Sequence, residues 1–315
     1  MIPRAHRCIF VLNELPDLQP RIQVSLFSIL EEKEIQIRGF KVRLPLDIQF
    51  IFTSNPEDYT NRGTIVTPLK DRIGSQILTH YPESIEIAKQ ITEQESRLNS
   101  QVVSKIHIPE IARDIIEQIS FEARESDLID KKSGVSARMS ITSLQNLVSS
   151  AERRMIINNE KQTSIRMSDF NSVISSINGK VELVYEGEEE GAEQVSYNLI
   201  SDAVKSLFNK YFPKIEKLSK PDEETPYDSL LEWFTQKQLI IGDNLKNNEY
   251  EELLIEIIDA RTIIDKYVKD LDDNDKFFFI EFILWGLESF NKLSILRTNN
   301  GIEFKDLFNN FINKI

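Results

Sequence analysis

The stretch Arg7 to Leu18, RCIFVLNELPDL, decides the fold. Four apolar residues, Ile9 to Leu12, run directly into Asn13-Glu14. This is the pattern of a buried parallel strand that delivers polar groups to the carboxyl edge of a sheet, where open α/β sheets bind their ligands. An apolar strand ending in an acidic pair can supply one group to a magnesium shell and one carboxylate that polarises an attacking water. Here an amide, Asn13, takes the first place and Glu14 stands where the general base would be. An apolar strand that simply ends in Glu remains the alternative for this stretch alone.

Downstream, Arg21 to Glu32 places Ile22, Leu26, Ile29 and Leu30 at helical spacing. Glu34 to Leu46 alternates around Arg38-Gly39, which predicts a hairpin inserted before the next strand. Ile48 to Thr53 is a second buried strand, ending at Ser54-Asn55-Pro56. An asparagine at such a strand end can orient a water or contact a terminal phosphate, or it can be a turn residue before proline. Asn61 to Ile77 reads as a polar loop, a short helix and a return to an apolar strand at Gln76 to Leu78. Within it, Arg72 is either a solvated charge or a finger projected into a neighbouring subunit. An amphipathic helix over Pro82–Leu98 follows, and beyond Ile108 the pattern is all helical, with helices over Pro109–Glu125, Ser136–Asn158 and Ser168–Ile177.

Four stretches, FVLNELPDL, FIFTSNPEDYTNRG, TPLKDRIGSQI and GVSARMSITSLQNLVSSAERR, stand in the order and approximate spacing of an AAA+ ATPase. They resemble its Walker B, sensor 1, arginine finger and sensor 2. The hairpin and the Pro-Leu-Lys-Asp-Arg sequence resemble the magnesium-chelatase ATPase subunit and its MoxR-like relatives. The resemblance covers about Arg7 to Lys180. It implies that Glu14 activates water, Asn55 positions it, Arg72 reaches a neighbour's γ-phosphate, and Asn13 and Arg138 contact nucleotide. It also implies ATP and Mg2+ as cofactors, and a homo-oligomeric ring, usually a hexamer. That ring remodels a partner protein, a von Willebrand A-type protein being one candidate.

Two departures stand against this pattern. Asn13 replaces the usual aspartate, so it would meet Mg2+ weakly and only through water. No GxxxxGKS/T occurs, and the sole Gly-Lys pair, Gly179-Lys180, is followed by Val181 and cannot form a phosphate cradle. In the family, the cradle strand precedes Walker B and lies between the strands at Phe50 and Gln76. Its absence would leave both neighbours short of a hydrogen-bonding partner. The expectation is therefore the carboxyl part of a longer ATPase, or a truncated, non-hydrolysing copy that scaffolds a ring.

The fold class expected is α/β: a partial AAA+ P-loop NTPase core with a parallel sheet and presensor hairpin, then an α-helical lid, then a C-terminal α-helical bundle. The expected domains are 1–107 for the core, 108–180 for the lid with sensor 2, 181–195 for an acidic linker and 196–315 for the bundle. In the last, Ser196–Phe212, Tyr227–Ile241, Tyr250–Val268, Lys276–Leu296 and Ile302–Ile315 read as helices. The chain has 315 residues, 40% of them hydrophobic, enough for a real core, and a formal charge of −13 that disfavours nonspecific nucleic-acid or anionic-membrane binding. No basic groove or reader helix suggests a DNA-bound motor. A single cysteine, Cys8, excludes an internal disulfide, reads as core packing and fits a reducing cytoplasm. His6, His80 and His107 show no metal-ligand spacing.

Overall fold

The computed structural model describes residues 2–32, 34–37, 40–43, 46–55, 64–215, 225–269, 271–298 and 301–307. It is a mixed α/β chain, mostly helical with small sheets, and its packing divides into two compact units, 1–80 and 81–315.

In the first unit β1 (Cys8–Leu12) is followed by a 3-10 turn at Leu15–Asp17 and α1 (Pro20–Phe27). Pro20 opens α1, where a missing N–H costs nothing. The helix runs on through a π-helical segment, Ser28–Glu32, into the hairpin of β2 (Glu34–Ile37) and β3 (Phe40–Arg43). The turn expected at Arg38-Gly39 lies outside the described residues. β4 (Ile48–Phe52) pairs in parallel with β1, from Cys8 opposite Ile48 to Leu12 opposite Phe52. One face of this pair is the core side: Phe10 meets Phe50 edge-on at 5.7 Å, Phe50 stacks on Phe52 at 6.1 Å, and Leu12 and Phe50 join buried Leu15, Leu26, Ile29 and Leu69.

The other face is open. Ile9, Val11 and Ile51 lie 66%, 51% and 43% exposed, and Cys8 is exposed as well. This corrects the expectation of a strand buried on both faces and of a core cysteine: the described sheet has two strands and an apolar layer on one side only. A second correction concerns Gln76 to Leu78. After α2 (Thr67–Asp71) the chain continues without regular structure through His80, and Ile77 and Leu78 are 88% and 75% exposed. Among the described residues it meets no strand partner, and a lone extended segment is not a strand.

The second unit begins with α3 (Ile85–Glu95), capped by the Ser84 hydroxyl, and α4 (Ser100–Val103). β5 (Ile106–His107) precedes α5 (Glu110–Glu125) and α6 (Arg138–Ile157), and β6 (Thr163–Ser164) pairs with it in parallel. A 3-10 run, Met167–Val173, leads into α7 (Ile174–Asn178). The acidic stretch read as a linker forms a helix, α8 (Tyr185–Glu190), before α9 (Ala192–Tyr211). Next come α10 (Asp228–Gln236), β7 (Leu239–Gly242), α11 (Asn247–Ile255), α12 (Ile258–Tyr267) and α13 (Asp273–Ser289), then β8 (Leu293–Thr298) and β9 (Gly301–Asp306).

α13 is buried from Phe278 to Leu287 on every side, which is how a helix apolar all round is accommodated. α9 packs against both α5 and α13, so residues from Ile106 to Phe304 share one hydrophobic core. Close approach of α9 and α13 needs Gly286, because a Cβ there would stand 2.1 Å from a ring carbon of Phe208. The helices expected over Lys276–Leu296 and Ile302–Ile315 are corrected here. α13 stops at Ser289, Asn291 takes a left-handed φ of 55°, and β8 and β9 form an antiparallel sheet with β7 in the order β7-β9-β8. Residues 308–315 of the second expected helix lie outside the described residues. Among the described residues, no helix is long and apolar enough to cross a membrane.

Candidate functional site

Parallel pairing carries the ends of β1 and β4 to the same edge. Past the last register pair, the Thr53 N–H donates to the Leu12 carbonyl at 3.0 Å and the Leu15 N–H donates to the Thr53 carbonyl at 2.9 Å. Asn13 and Glu14 are thereby held beside Thr53, Ser54 and Asn55. The Thr53 side chain closes the arrangement: its hydroxyl donates to Asn13 Oδ1 at 3.2 Å and accepts from the Glu14 N–H at 3.1 Å. Glu14 itself adopts φ 52° and ψ 56°, the left-handed region that costs a residue with a Cβ free energy and recurs at functional sites. Glu14 and Asn55 are both exposed at this edge. The rest of the sensor 1 stretch, 56–63, lies outside the described residues.

A second residue of this unit, absent from the motif reading, organises its loops. Gln23 is fully buried on α1, and its amide nitrogen donates to the carbonyls of Leu18 and Thr64 at 2.9 and 3.1 Å. Its Oε1 accepts from the Val66 N–H at 2.9 Å. One amide thus fixes the loop after β1 to the segment that leads into α2 and Arg72. Thr53 and Gln23 give no sequence signal, because most of their partners lie about forty positions away.

Arg72 caps α2 and is spoken for within its own unit. Its Nε donates to Glu31 Oε2 at 2.7 Å, with Nη2 also 2.7 Å from that oxygen. Nη1 donates to the Pro68 carbonyl at 2.8 Å, and the guanidinium carbon lies 5.1 Å from the centre of the Phe27 ring. Its side chain is 31% exposed. Arg138 belongs to the second unit, exposed at the first turn of α6. A cation there opposes the helix dipole, whose positive end favours anions.

The second unit also buries a polar chain that sequence reading missed. Arg154 on α6 pairs with Asp169, which accepts from the Ser150 hydroxyl at 3.0 Å and the Arg166 N–H at 2.8 Å. The Arg166 guanidinium lies 4.0 Å from the centre of the Tyr250 ring. The Tyr250 hydroxyl donates to Glu281 at 2.7 Å, and the same carboxylate oxygen accepts from the Met167 N–H at 2.8 Å. Complete burial raises the Glu281 carboxyl from 4.5 to about 7 against these bonds and the nearby Arg166, while Tyr250 is pushed well up by burial and by Glu281.

No protein-family model matches the sequence, and no curated protein matches it. A solved structure of a "putative ATPase" from Cytophaga hutchinsonii is similar over 61% of this chain and 64% of its own, at 19% identity and a TM-score of 0.24. A superposition that loose carries no argument for fold or function.

Proposed function

We propose that residues 7–180 of this chain are the Walker B-to-lid part of an AAA+ ATPase of the magnesium-chelatase and MoxR-like group, whose ATP cycle remodels a partner protein. The observation that supports it is the sheet edge: β1 and β4 run in parallel, and Thr53 ties Asn13 and Glu14 to the strand end that carries Asn55. In this reading Glu14 takes the proton of an attacking water, Asn55 orients that water, and Arg72 exchanges its bonds to Glu31 and the Pro68 carbonyl for a phosphate in a neighbouring subunit of a ring. Arg138, unfavourably placed against its own helix dipole, gains from a nucleotide phosphate.

The residues in this chain do not fit ATP and Mg2+ by themselves. Mg2+ is held by carboxylates, waters and phosphates, whereas here the first Walker B place is a neutral amide whose oxygen already accepts from Thr53. The sequence offers no glycine-rich phosphate cradle. The bare face of Ile9, Val11 and Ile51 supports a sheet completed by further structure, since parallel sheets are covered on both faces. The second reading, a non-hydrolysing module that scaffolds a ring, is favoured by Asn13 and by the missing cradle.

Titration calorimetry with ATP and Mg2+ separates these. The 315-residue chain alone should bind no nucleotide at micromolar concentrations. Completed with a segment bearing GxxxxGKS/T, it should hydrolyse ATP and lose at least about 100-fold in turnover on Glu14→Gln. Micromolar binding by the isolated chain contradicts the missing cradle. Full turnover in the Glu14→Gln protein contradicts the role of Glu14.

A further inference from the structure

Arg72 is held from two sides within the first unit. On one side, Phe27 ends α1 and Glu31 follows one turn later in the π-helical segment Ser28–Glu32, so an aromatic ring and a carboxylate stand together on one helix side. Segments of this wide helix are rare and recur at functional sites. The Arg72 guanidinium lies over that ring at 5.1 Å, and both Nε and Nη2 stand 2.7 Å from Glu31 Oε2. On the other side α2 ends at Asp71, and Arg72 Nη1 curls back to the Pro68 carbonyl at 2.8 Å, in the last turn, where a helix leaves carbonyls short of donors.

Two adjacent N–H groups of a guanidinium suit the oxygens of a carboxylate and of a phosphate alike. The Nε–Nη2 pair of Arg72 already carries an anion, so a phosphate takes that pair only by displacing Glu31. The surroundings permit the exchange. The side chains of Arg72 and Glu31 are 31% and 62% exposed, and ion pairs open to water contribute little. Phosphate oxygens at a subunit boundary, screened from water, are the stronger partner.

We propose that Glu31 is a latch on Arg72: it occupies the guanidinium in the free subunit and yields it to a neighbour's nucleotide phosphate as the ring assembles. This rests on the reading of Arg72 as the finger of an AAA+ ring. A latched finger is not ready to engage, and the apparent affinity of one subunit for the next falls by the fraction that is ready. For an exposed ion pair reinforced by a ring and a carbonyl, that reduction is about 3- to 10-fold.

The test has two arms. In the 315-residue chain, proton exchange at Arg72 Nε, followed by NMR, should quicken about 3- to 10-fold on Glu31→Gln, and an unchanged rate would overturn the latch. In the completed ATPase, sedimentation velocity with ATP and Mg2+ is run in the Glu14→Gln background, which slows hydrolysis. Adding Glu31→Gln should lower the subunit concentration of half-assembly by about 3- to 10-fold. In subunits that also carry Arg72→Ala, the same substitution should move it by less than about 2-fold, because the latch has nothing left to hold. A concentration that stays or rises on Glu31→Gln, or falls equally without Arg72, would overturn the latch and leave the finger standing. Absence of ATP-dependent assembly, or Arg72→Ala subunits that hydrolyse ATP at the parental rate, would overturn the finger and the latch with it.

Discussion

Glu14 sits in a backbone conformation that a side chain resists, and the hydroxyl of Thr53 is what accepts its N–H. Thr53→Val keeps the shape and removes both side-chain bonds. The site is exposed, so stability should fall by no more than about 1 kcal/mol. On the proposed function, ATP turnover of the completed protein should fall about 10-fold or more, since a misaimed base would lose much of its general-base contribution. A parental rate with Thr53→Val would show that Glu14 needs no such support. Gln23 behaves in the opposite way: Gln23→Leu strands the Leu18 and Thr64 carbonyls and the Val66 N–H, and should destabilise the first unit by about 2–4 kcal/mol in urea unfolding. At this scale the sequence was half informative. Asn13, Glu14 and Asn55 announce themselves by standing at the ends of apolar runs. Gln23 looks like one more polar residue on an amphipathic helix, and only folding reveals that it faces inward.

The elements show where pattern reading succeeds and where it fails. Cys8–Leu12 and Ile48–Phe52 are continuous apolar runs bounded by polar turns, too short for helices, and both are strands. The helix expected over Ile302–Ile315 rests on Phe304, Leu307, Phe308 and Phe311 at helical spacing, whereas Gly301–Asp306 forms β9. The alternation of Ile302 and Phe304 after Asn300-Gly301, a hairpin signal, was the better guide. α13 gives two measurable consequences. Gly286→Ala forces a methyl group into the Phe208 ring and should destabilise the second unit by about 1–3 kcal/mol. Glu281 makes the same unit sensitive to pH. Its carboxyl holds a proton more tightly folded than unfolded, so the stabilisation is fully present below about pH 4.5 and is lost as the pH rises to about 7. The shift from 4.5 to about 7 corresponds to about 3 kcal/mol, and Glu281→Gln should flatten the fall in urea midpoint across that window. An unchanged pH slope in the variant would assign the dependence to other groups.

For the whole molecule, the two compact units have separate hydrophobic clusters, one drawn from residues 2–73 and the other from residues 85–304. A fragment of residues 81–315 should therefore fold and unfold cooperatively by itself, as followed by circular dichroism. A fragment without cooperative unfolding would mean that its core depends on the first 80 residues. The change from strands to helices was legible in the sequence as a shift of hydrophobic period. The shared core of α5, α9 and α13 was not, because helix periodicity shows which face is apolar but not what covers it. The central claim, an ATPase site divided between neighbouring subunits, is tested most directly by mixing variants of the completed ATPase. Glu14→Gln and Arg72→Ala subunits should each be almost inactive, the latter reduced by about 1000-fold or more. Mixed in equal amounts they should recover about a quarter of parental turnover, because about one interface in four then joins an intact Glu14 to an intact Arg72. A mixture no more active than its two components, or Arg72→Ala subunits that hydrolyse ATP at the parental rate, would contradict the account.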